Sequence, residues 1–328
     1  MSFVYPNKLT AGDEVRVISP SRSLSIISEQ TRRIASERFA ELGLNVRFGR
    51  HAEEMDDFSS SSVASRLEDL HEAFADPAVK GILTVIGGYN SNQLLTGVDW
   101  ELIKNNPKIF CGFSDITALS NSFLAKTGMV TYSGPHYSTF GMKKHFDYTL
   151  DNFKRAVMSD DPVVLQPSDE WTDDLWFLDQ EKRRPIANEG WLVINEGCAE
   201  GTIRGGNLCT FNLLQGTEYM PELDDTVLFI EDNMESLPAH FDRDLVSLIQ
   251  QPGFSGVKAL VIGRFQKESK MTNSLLRQMI QSKPELRTIP VIAGVDFGHT
   301  SPIVTYPIGG GISVNADAQK PRITITRH

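Results

Sequence analysis

Residues 108–119 of the chain read KIFCGFSDITAL, and this stretch decides both the fold class and the candidate chemistry. An apolar run at 108–113 is typical of a buried strand, and a helical pattern begins soon after Ser114. The same alternation precedes it, with strand-like runs EVRVIS at 14–19 and GILTVI at 81–86 and a helical pattern at 63–74. Short strands that alternate with helices predict an α/β fold with a parallel sheet flanked by helices.

The rest of the chain differs in character from this first part. Residues 1–140 are predicted to form the N-terminal α/β domain. Residues 141–195 include the polar stretch DEWTDDLWFLDQEKRRP, which indicates a connecting segment. Residues 196–328 are predicted to form a β-rich α+β C-terminal domain, with strands near 226–230, 259–262, 291–293 and 322–326 and helices near 240–250 and 272–282.

Composition limits the classes of partner and compartment. The 328 residues carry 42 acidic and 32 basic side chains, a formal net charge of −10, with no dense Lys/Arg run. We therefore expect neither a nucleic acid polymer nor an anionic membrane as a partner. Three cysteines without metal-like spacing predict neither a disulfide framework nor a metal site. The absence of a signal-peptide pattern and of an apolar run of ~20 residues favours a cytoplasmic protein.

Ser114 is the candidate nucleophile. It follows an apolar strand directly and precedes a helix, although the GxSxG motif of α/β-hydrolases is missing. A serine there lies at the carboxyl end of a parallel strand, where open α/β sheets bind ligands. The free N–H groups of the following helix could stabilise an oxyanion. The alternative is that Ser114 or Asp115 only caps that helix.

Two further strand ends carry candidate groups. Residues 86–92, IGGYNSN, follow a strand, and adjacent glycines allow close backbone approach, so the amide of Gly88 is a candidate oxyanion donor. An ordinary βα turn is the alternative. Glu231 and Asp232 end another apolar strand and could orient a histidine. Exposed carboxylates are also common at strand ends without any catalytic role, so this alternative stays open.

Among the seven histidines, His299 lies in a Gly-flanked loop just after an apolar strand, and His136 is its nearest rival. A neutral imidazole, with an ordinary pKa of about 6.5, can accept a serine proton at neutral pH. A carboxylate on the other ring nitrogen fixes the tautomer and stabilises the imidazolium. Together the four strand-end features supply a nucleophile, a base, an orienting acid and an oxyanion donor, which predicts a serine hydrolase.

With these residues in view, the chain resembles the LD-carboxypeptidase family of serine peptidases, which includes muramoyltetrapeptide carboxypeptidases and microcin C self-immunity proteins. The resemblance implies a triad of Ser114, Glu231 and His299 and an oxyanion hole from the amides of Gly88 and Asp115. It implies an active site in the cleft between two domains, a homodimer and no cofactor. Asp232 stays open as the orienting acid. The motifs that carry the resemblance are Lys8-Leu9, Gly12-Asp13, Ser19-Pro20-Ser21, Arg66 to Leu70, Gly87-Gly88-Tyr89, GFSDIT at 112–117, Gly205-Gly206-Asn207-Leu208, Glu231-Asp232 and Gly298-His299-Thr300.

Within that family the loop at 86–92 is similar to the immunity branch, because the carboxypeptidase branch usually carries Arg-Gly-Gly-Tyr-Gly there. Members of the immunity branch cleave an amide-type bond in small aminoacyl-nucleotide conjugates. This resemblance implies Tyr89, Asn90 and Trp176 as substrate-binding residues, since aromatic rings stack on bases. Trp171 and Trp191 are weaker candidates, and any of these tryptophans could instead pack the domain junction.

Two other functions remain as alternatives. One is an LD-carboxypeptidase that releases the terminal D-alanine from cytoplasmic murein tetrapeptide. The other is a non-catalytic module that binds a small molecule between its domains.

Overall fold

A computed structural model describes residues 3–328 of the chain. The described part contains two large sheets, one two-stranded sheet and eight α-helices. In chain order the elements are β1 (Glu14–Ile18), α1 (Glu29–Glu41), β2 (Asn45–Phe48), α2 (Val63–Ala75), β3 (Val79–Thr84), α3 (Trp100–Asn105), β4 (Ile109–Cys111), α4 (Thr117–Thr127), β5 (Thr131–Ser133), α5 (Asp147–Val157), β6 (Val163–Val164), β7 (Glu170–Trp171), β8 (Ile186–Ala187), β9 (Leu192–Asn195), β10 (Gly197–Asn207), α6 (Leu208–Asn212), β11 (Thr226–Glu231), α7 (Pro238–Ile249), β12 (Val257–Gly263), α8 (Asn273–Gln281), β13 (Val291–Val295), β14 (Tyr306–Ile308), β15 (Gly311–Ala316) and β16 (Arg322–Arg327).

The first sheet has the strand order β14-β5-β4-β3-β1-β2. Its five N-terminal strands are parallel, and only β14 pairs antiparallel, with β5. Alternate residues of β3 and β4 enter different apolar clusters, as the two-residue period of a strand requires. Leu83 of β3 packs with α1 and α5, whereas Ile82 packs with α2, α3 and α4. The prediction of a parallel sheet flanked by helices is therefore confirmed.

The second sheet has the order β6-β16-β15-β10-β11-β12-β13-β9. Its centre, from β10 to β13, is parallel, and the remaining pairs are antiparallel. The β-rich C-terminal domain of the prediction is thereby confirmed. The carboxyl end of β11 carries the two acidic residues 231 and 232.

Helix α4 joins the two sheets. It is buried along nearly its whole length and packs against β10 and α6 as well as against the first sheet. The side-chain amide of Asn121 donates to the Gly205 carbonyl (2.8 Å) and accepts from the Gly205 N–H (3.2 Å). Gly206 has φ 129°, and a Cβ there would lie 2.5 Å from Thr117 Oγ1. This close packing fixes the residues just before α4 relative to the second sheet.

Residues 141–195, predicted as a connecting segment, also contain α5, which the sequence pattern does not predict. Polar residues dominate the sequence of α5, but Phe153, Ala156 and Val157 form a buried stripe against the first sheet. No helix among residues 3–328 combines the length and apolar character that crossing a membrane requires.

Candidate active site

Ser114 lies in a tight turn between β4 and α4. Its φ of 61° is in the left-handed region, which non-glycine residues seldom adopt and which stores strain at functional sites. The turn directs the side chain out of the sheet, as in the strained nucleophile turns of α/β-hydrolases. Gly87 lies directly against it, because a Cβ on Gly87 would be only 3.1 Å from Ser114 Oγ.

A continuous hydrogen-bonded relay starts at this serine. His299 Nε2 lies 3.0 Å from Ser114 Oγ, and His299 Nδ1 lies 2.7 Å from Glu231 Oε2. With Nδ1–H donating to the carboxylate, Nε2 is free to accept the serine proton. Gly298, with φ 101°, allows this arrangement, since a Cβ there would be 2.5 Å from Glu231 Oε2. The structure thus brings together the three residues of the predicted triad, from β4–α4, β11 and the β13–β14 loop.

The electrostatics of the relay suit a general base. Burial by itself lowers the pKa of His299, but the Glu231 carboxylate, with help from Asp232 and Glu235, raises this pKa above 6.5 overall. Glu231 is almost fully buried, with 2% of its surface exposed. A buried carboxylate on Nδ1 stabilises the imidazolium that forms when the serine is deprotonated.

The Asp115 carboxylate holds the glycine loop (residues 86–92) against the serine turn (residues 112–117). Its Oδ2 accepts from the N–H groups of Asn90 (3.0 Å) and Ser91 (2.9 Å) and from the Ser21 hydroxyl (2.6 Å). Ser91 Oγ donates back to the Asp115 carbonyl at 2.7 Å. The sequence analysis considered Asp115 as an oxyanion donor and as a helix cap and missed this function of its side chain, although an acid next to a candidate nucleophile is a visible signal.

The two predicted oxyanion donors are free to act. Neither the Gly88 N–H nor the Asp115 N–H donates to a backbone acceptor within residues 3–328. Gly88 fits because a Cβ there would lie 2.3 Å from Ser21 Oγ. Unengaged amides beside a nucleophile, near the start of a helix, are suited to a developing oxyanion.

The serine opens into a cavity of about 380 Å³ between the two sheets. Tyr89 and Trp176, two of the predicted substrate-binding residues, line it, together with the neighbouring Leu175 and Phe177. Asn90 is not among the lining residues, and its side-chain Oδ1 lies 3.4 Å from Ser21 Oγ.

The other two candidate tryptophans, Trp171 and Trp191, lie outside the lining of this cavity. Trp171 packs under the cations of Arg264 and Lys267, 5.0 and 5.3 Å from its ring centre. Trp191 Nε1 donates to Asp296 at 3.5 Å. Both therefore have structural partners of their own.

His136, the rival histidine, lies beside the relay rather than in it. Its Nδ1 is 2.7 Å from Thr84 Oγ1, and its ring packs on Phe113 at 4.5 Å between centres. Burial, and next the charge of His299, lowers the pKa of His136 to about 3. A histidine with so low a pKa stays neutral at physiological pH.

Asp232, the alternative orienting acid, makes no hydrogen bond to the His299 nitrogens, whose partners within residues 3–328 are Glu231 and Ser114. Its Oδ1 accepts from Asn207 Nδ2 (3.2 Å) and from the Asn233 N–H (2.9 Å), while Oδ2 is buried without a partner within residues 3–328. Burial, and next the neighbouring Glu231 charge, raises the pKa of Asp232 to about 6. Glu231, and not Asp232, makes the hydrogen bond to His299 in this structure.

The sequence analysis also missed two charged residues that line the cavity, Arg22 and Glu235. Arg22 follows the Ser19-Pro20-Ser21 motif directly, and Glu235 lies four residues after Glu231. Their positions next to motifs were the available signal. Within residues 3–328, no group of three or more His, Cys, Asp or Glu is arranged to hold a metal ion.

Comparison with known proteins agrees with this architecture. Residues 15–134 match the model of the LD-carboxypeptidase N-terminal domain, and residues 200–314 match that of the LD-carboxypeptidase C-terminal domain. YocD of Bacillus subtilis (strain 168), named as a carboxypeptidase, is 55% identical, and the alignment covers 99% of this chain and 100% of YocD. A second B. subtilis relative, named as a murein peptide carboxypeptidase, is 31% identical, with 94% and 91% covered. The microcin C7 self-immunity protein MccF of Escherichia coli is 29% identical, with 96% and 94% covered.

Solved structures give the same result. The crystal structure of an MccF-like protein from Bacillus anthracis str. Ames superposes with a TM-score of 0.98 at 54% identity, covering 99% of this chain and all of that one. MccF in complex with aspartyl sulfamoyl adenosine superposes with a TM-score of 0.86 at 26% identity, covering 99% of each chain. From these matches and the two-domain fold, the chain belongs to the LD-carboxypeptidase family and is a serine-type carboxypeptidase homologue.

Proposed function

We propose that Ser114, His299 and Glu231 form a catalytic triad that hydrolyses an amide-type bond in a small aminoacyl-nucleotide conjugate, giving self-immunity or detoxification. The observation that carries the triad is the unbroken relay from Ser114 Oγ through the His299 ring to Glu231 Oε2, at 3.0 and 2.7 Å. Such a relay is the arrangement that activates a serine hydroxyl at neutral pH.

In the proposed mechanism His299 Nε2 takes the Ser114 proton as Oγ attacks the scissile carbonyl carbon. The carbonyl oxygen becomes an oxyanion that accepts hydrogen bonds from the N–H groups of Gly88 and Asp115. The C–N bond then breaks, and the His299 imidazolium gives its proton to the leaving nitrogen. A water molecule, deprotonated by the same histidine, hydrolyses the acyl-serine and restores Ser114.

The proposed substrate class rests on the aromatic wall of the cavity. Trp176 and Phe177 line it on one side, and Tyr89 lies on the glycine loop. Base–aromatic stacking contributes about 1–3 kcal/mol per base, so this wall suits a nucleobase. The MccF structure with bound aspartyl sulfamoyl adenosine supports the same class, because its fold matches along the whole chain.

The second candidate is release of a terminal D-alanine from murein tetrapeptide. The relative named as a murein peptide carboxypeptidase favours it, at 31% identity over nearly the whole chain. Both reactions use one triad, so only the substrate distinguishes them. Family membership and the relay both count against a purely non-catalytic binding module.

The test is turnover of aspartyl sulfamoyl adenosine and of murein tetrapeptide by the purified protein and by its Ser114→Ala variant. We expect hydrolysis of the nucleotide conjugate, and loss of turnover with ligand binding retained in the variant. Labelling by a fluorophosphonate that disappears in both Ser114→Ala and His299→Ala is the supporting readout. Unchanged turnover in Ser114→Ala would contradict the triad, and hydrolysis of the tetrapeptide alone would move the substrate to the second candidate.

A cytoplasmic homodimer completes the proposal, on the strength of the family resemblance. Sedimentation at micromolar concentration should give twice the mass of 36.5 kDa. A monomer across the working concentration range would contradict the dimer and leave the triad unaffected.

A further inference from the structure

The charges that line the cavity are unevenly paired. Its three non-catalytic acids all have partners: Asp173 pairs with Lys267 Nζ at 3.1 Å, Asp174 accepts from Thr172 Oγ1 at 2.7 Å, and Glu235 accepts from the Tyr89 hydroxyl at 3.1 Å. Arg22, the permanent cation of the lining, makes no ion pair with any residue from 3 to 328. Its Nε is buried and has no hydrogen-bond acceptor there. A buried guanidinium Nε without an acceptor, at the edge of a cavity that holds the candidate nucleophile, points to a ligand that supplies one.

The backbone on both sides of Arg22 is fixed. The Ser21 hydroxyl donates to Asp115 Oδ2 (2.6 Å), and the Ser21 carbonyl accepts from Ser60 Oγ (2.6 Å). The Ser23 N–H donates to the Ser59 carbonyl at 2.8 Å. The Asp115 carboxylate therefore anchors this segment and the glycine loop at once, which holds Arg22 in a constant position relative to the nucleophile turn.

The side chain of Arg22 lies along the glycine loop. A Cβ on Gly88 would be 3.0 Å from Arg22 Cγ, so the absence of a side chain at Gly88 makes room for the arginine. Its guanidinium carbon lies 5.2 Å from the centre of the Tyr89 ring, and the Tyr89 hydroxyl is itself engaged by Glu235. Stacking on an aromatic face orients the guanidinium and leaves its N–H groups available.

We propose that Arg22 is a specificity-determining residue that binds an anionic group of the substrate next to the glycine loop. The planar fork of a guanidinium matches a carboxylate, sulfonyl or phosphoryl group in two-point hydrogen bonding. This inference rests on the proposed function for the position of the substrate, and it adds the charge requirement that the triad alone does not set.

The anion can come from two parts of such a substrate. In aspartyl sulfamoyl adenosine one anion is the side-chain carboxylate of the acyl residue, and the other is the acyl sulfamate on the leaving group. In murein tetrapeptide the terminal D-alanine carboxylate is on the leaving group. The two candidate substrates therefore share an anion within a few bonds of the scissile nitrogen, which one arginine can recognise.

The test measures binding by calorimetry in the Ser114→Ala protein, so that turnover does not interfere. Three ligands separate the sources: aspartyl sulfamoyl adenosine, its asparaginyl counterpart, and an aspartyl amide of 5′-amino-5′-deoxyadenosine, which has a neutral linker. We expect Arg22→Gln to weaken binding of the first ligand by about 10- to 100-fold, the size of a charged hydrogen bond. The ligand that lacks the recognised anion should bind both proteins equally, and this identifies the source.

Matched variants keep the result interpretable. Arg22→Lys, which keeps the charge and loses the fork, should give an intermediate loss. Arg33→Gln, on the exposed face of α1 at 69% exposure, should change no affinity. Thermal unfolding of each variant checks that the fold is retained.

The inference is overturned if Arg22→Gln weakens all three ligands alike, if it weakens none, or if none of them binds the Ser114→Ala protein. Its failure is separable from failure of the proposed function. Binding that depends on Arg22 without turnover by the unmodified protein would contradict hydrolysis and keep the anion site. Turnover that does not depend on Arg22 would do the reverse.

Discussion

The serine turn at residues 112–117 and the cavity wall at residues 172–177 lie at the same cavity but differ in how exposed they are. The turn is mostly buried, and Asp115 ties it to two other segments. The wall exposes 41% of Leu175 and 62% of Phe177. Long-range contacts tie the wall at Thr172, which pairs with the Ser301 backbone, and at Asp173, which accepts from the Lys267 N–H at 2.6 Å. Around Trp176 the hydrogen bonds include short-range ones, such as Trp176 N–H to the Asp174 carbonyl at 2.7 Å.

Because of this difference, we expect the two regions to have different functions. A group that attacks a carbonyl must be positioned within a fraction of an ångström, which a buried, cross-linked turn provides. A surface that only chooses the ligand can be exposed and tolerate change, as loops generally do. Substitutions in the turn should therefore lower kcat, and substitutions in the wall should raise KM.

The largest expected effect is at the relay itself. Ser114→Ala and His299→Ala should each lower kcat by about 10⁴- to 10⁶-fold, since each removes the activated nucleophile. The double variant should lose little more, because the two residues act as one unit. Single-turnover assays on the three variants measure this, and multiplicative losses would mean that the two residues act independently.

Ser114→Gly supplies a matched control for the strain in the turn. Glycine adopts φ of 61° without the cost that alanine has, so Ser114→Gly should be about 1 kcal/mol more stable than Ser114→Ala while equally inactive. Chemical denaturation compares the two. Equal stabilities would argue that the turn is not strained.

A smaller loss is expected at the tie that holds the turn. Asp115→Ala removes the acceptor of the Asn90, Ser91 and Ser21 donors, and the glycine loop should no longer hold its amide at the oxyanion. We expect kcat to fall about 10²- to 10³-fold, the cost of losing an oxyanion donor, with KM nearly constant. A rise in KM alone would assign Asp115 to substrate binding instead.

The wall should respond in the opposite way. Trp176→Ala should weaken binding of an aminoacyl sulfamoyl adenosine by about 1–3 kcal/mol and leave kcat nearly unchanged, because the base loses its stacking partner. Trp171→Ala is the matched control, since that ring packs against Arg264 and Lys267. Equal effects of both variants on KM would contradict a specific role for Trp176.

The sequence predicts much more of the turn than of the wall, for physical reasons. The strand–serine–helix pattern and the paired glycines are local signals, because each follows from the backbone within a few residues. The association of Ser114 with Glu231 and His299 depends on how α4 packs against β10, which no local pattern contains. The wall side chains have no periodicity, so Trp176 was a candidate only by resemblance, and Asn90 was expected in a cavity that it does not line. The predicted domain boundaries at 140 and 195 stay predictions.

The smallest effect expected is on the pH dependence of the reaction. The general base acts when His299 is neutral, so kcat/KM should rise with pH through the pKa of His299, which lies above its ordinary value. The Asp232 carboxylate contributes to the raised pKa of His299, although it makes no hydrogen bond to the ring. Asp232→Asn removes this charge, destabilises the imidazolium and should move the acidic limb of the profile to lower pH. Because this shift concerns the charges around His299, Trp176→Ala should leave the limb where it is. A limb that does not move in Asp232→Asn would mean that Asp232 does not contribute to the pKa of the base.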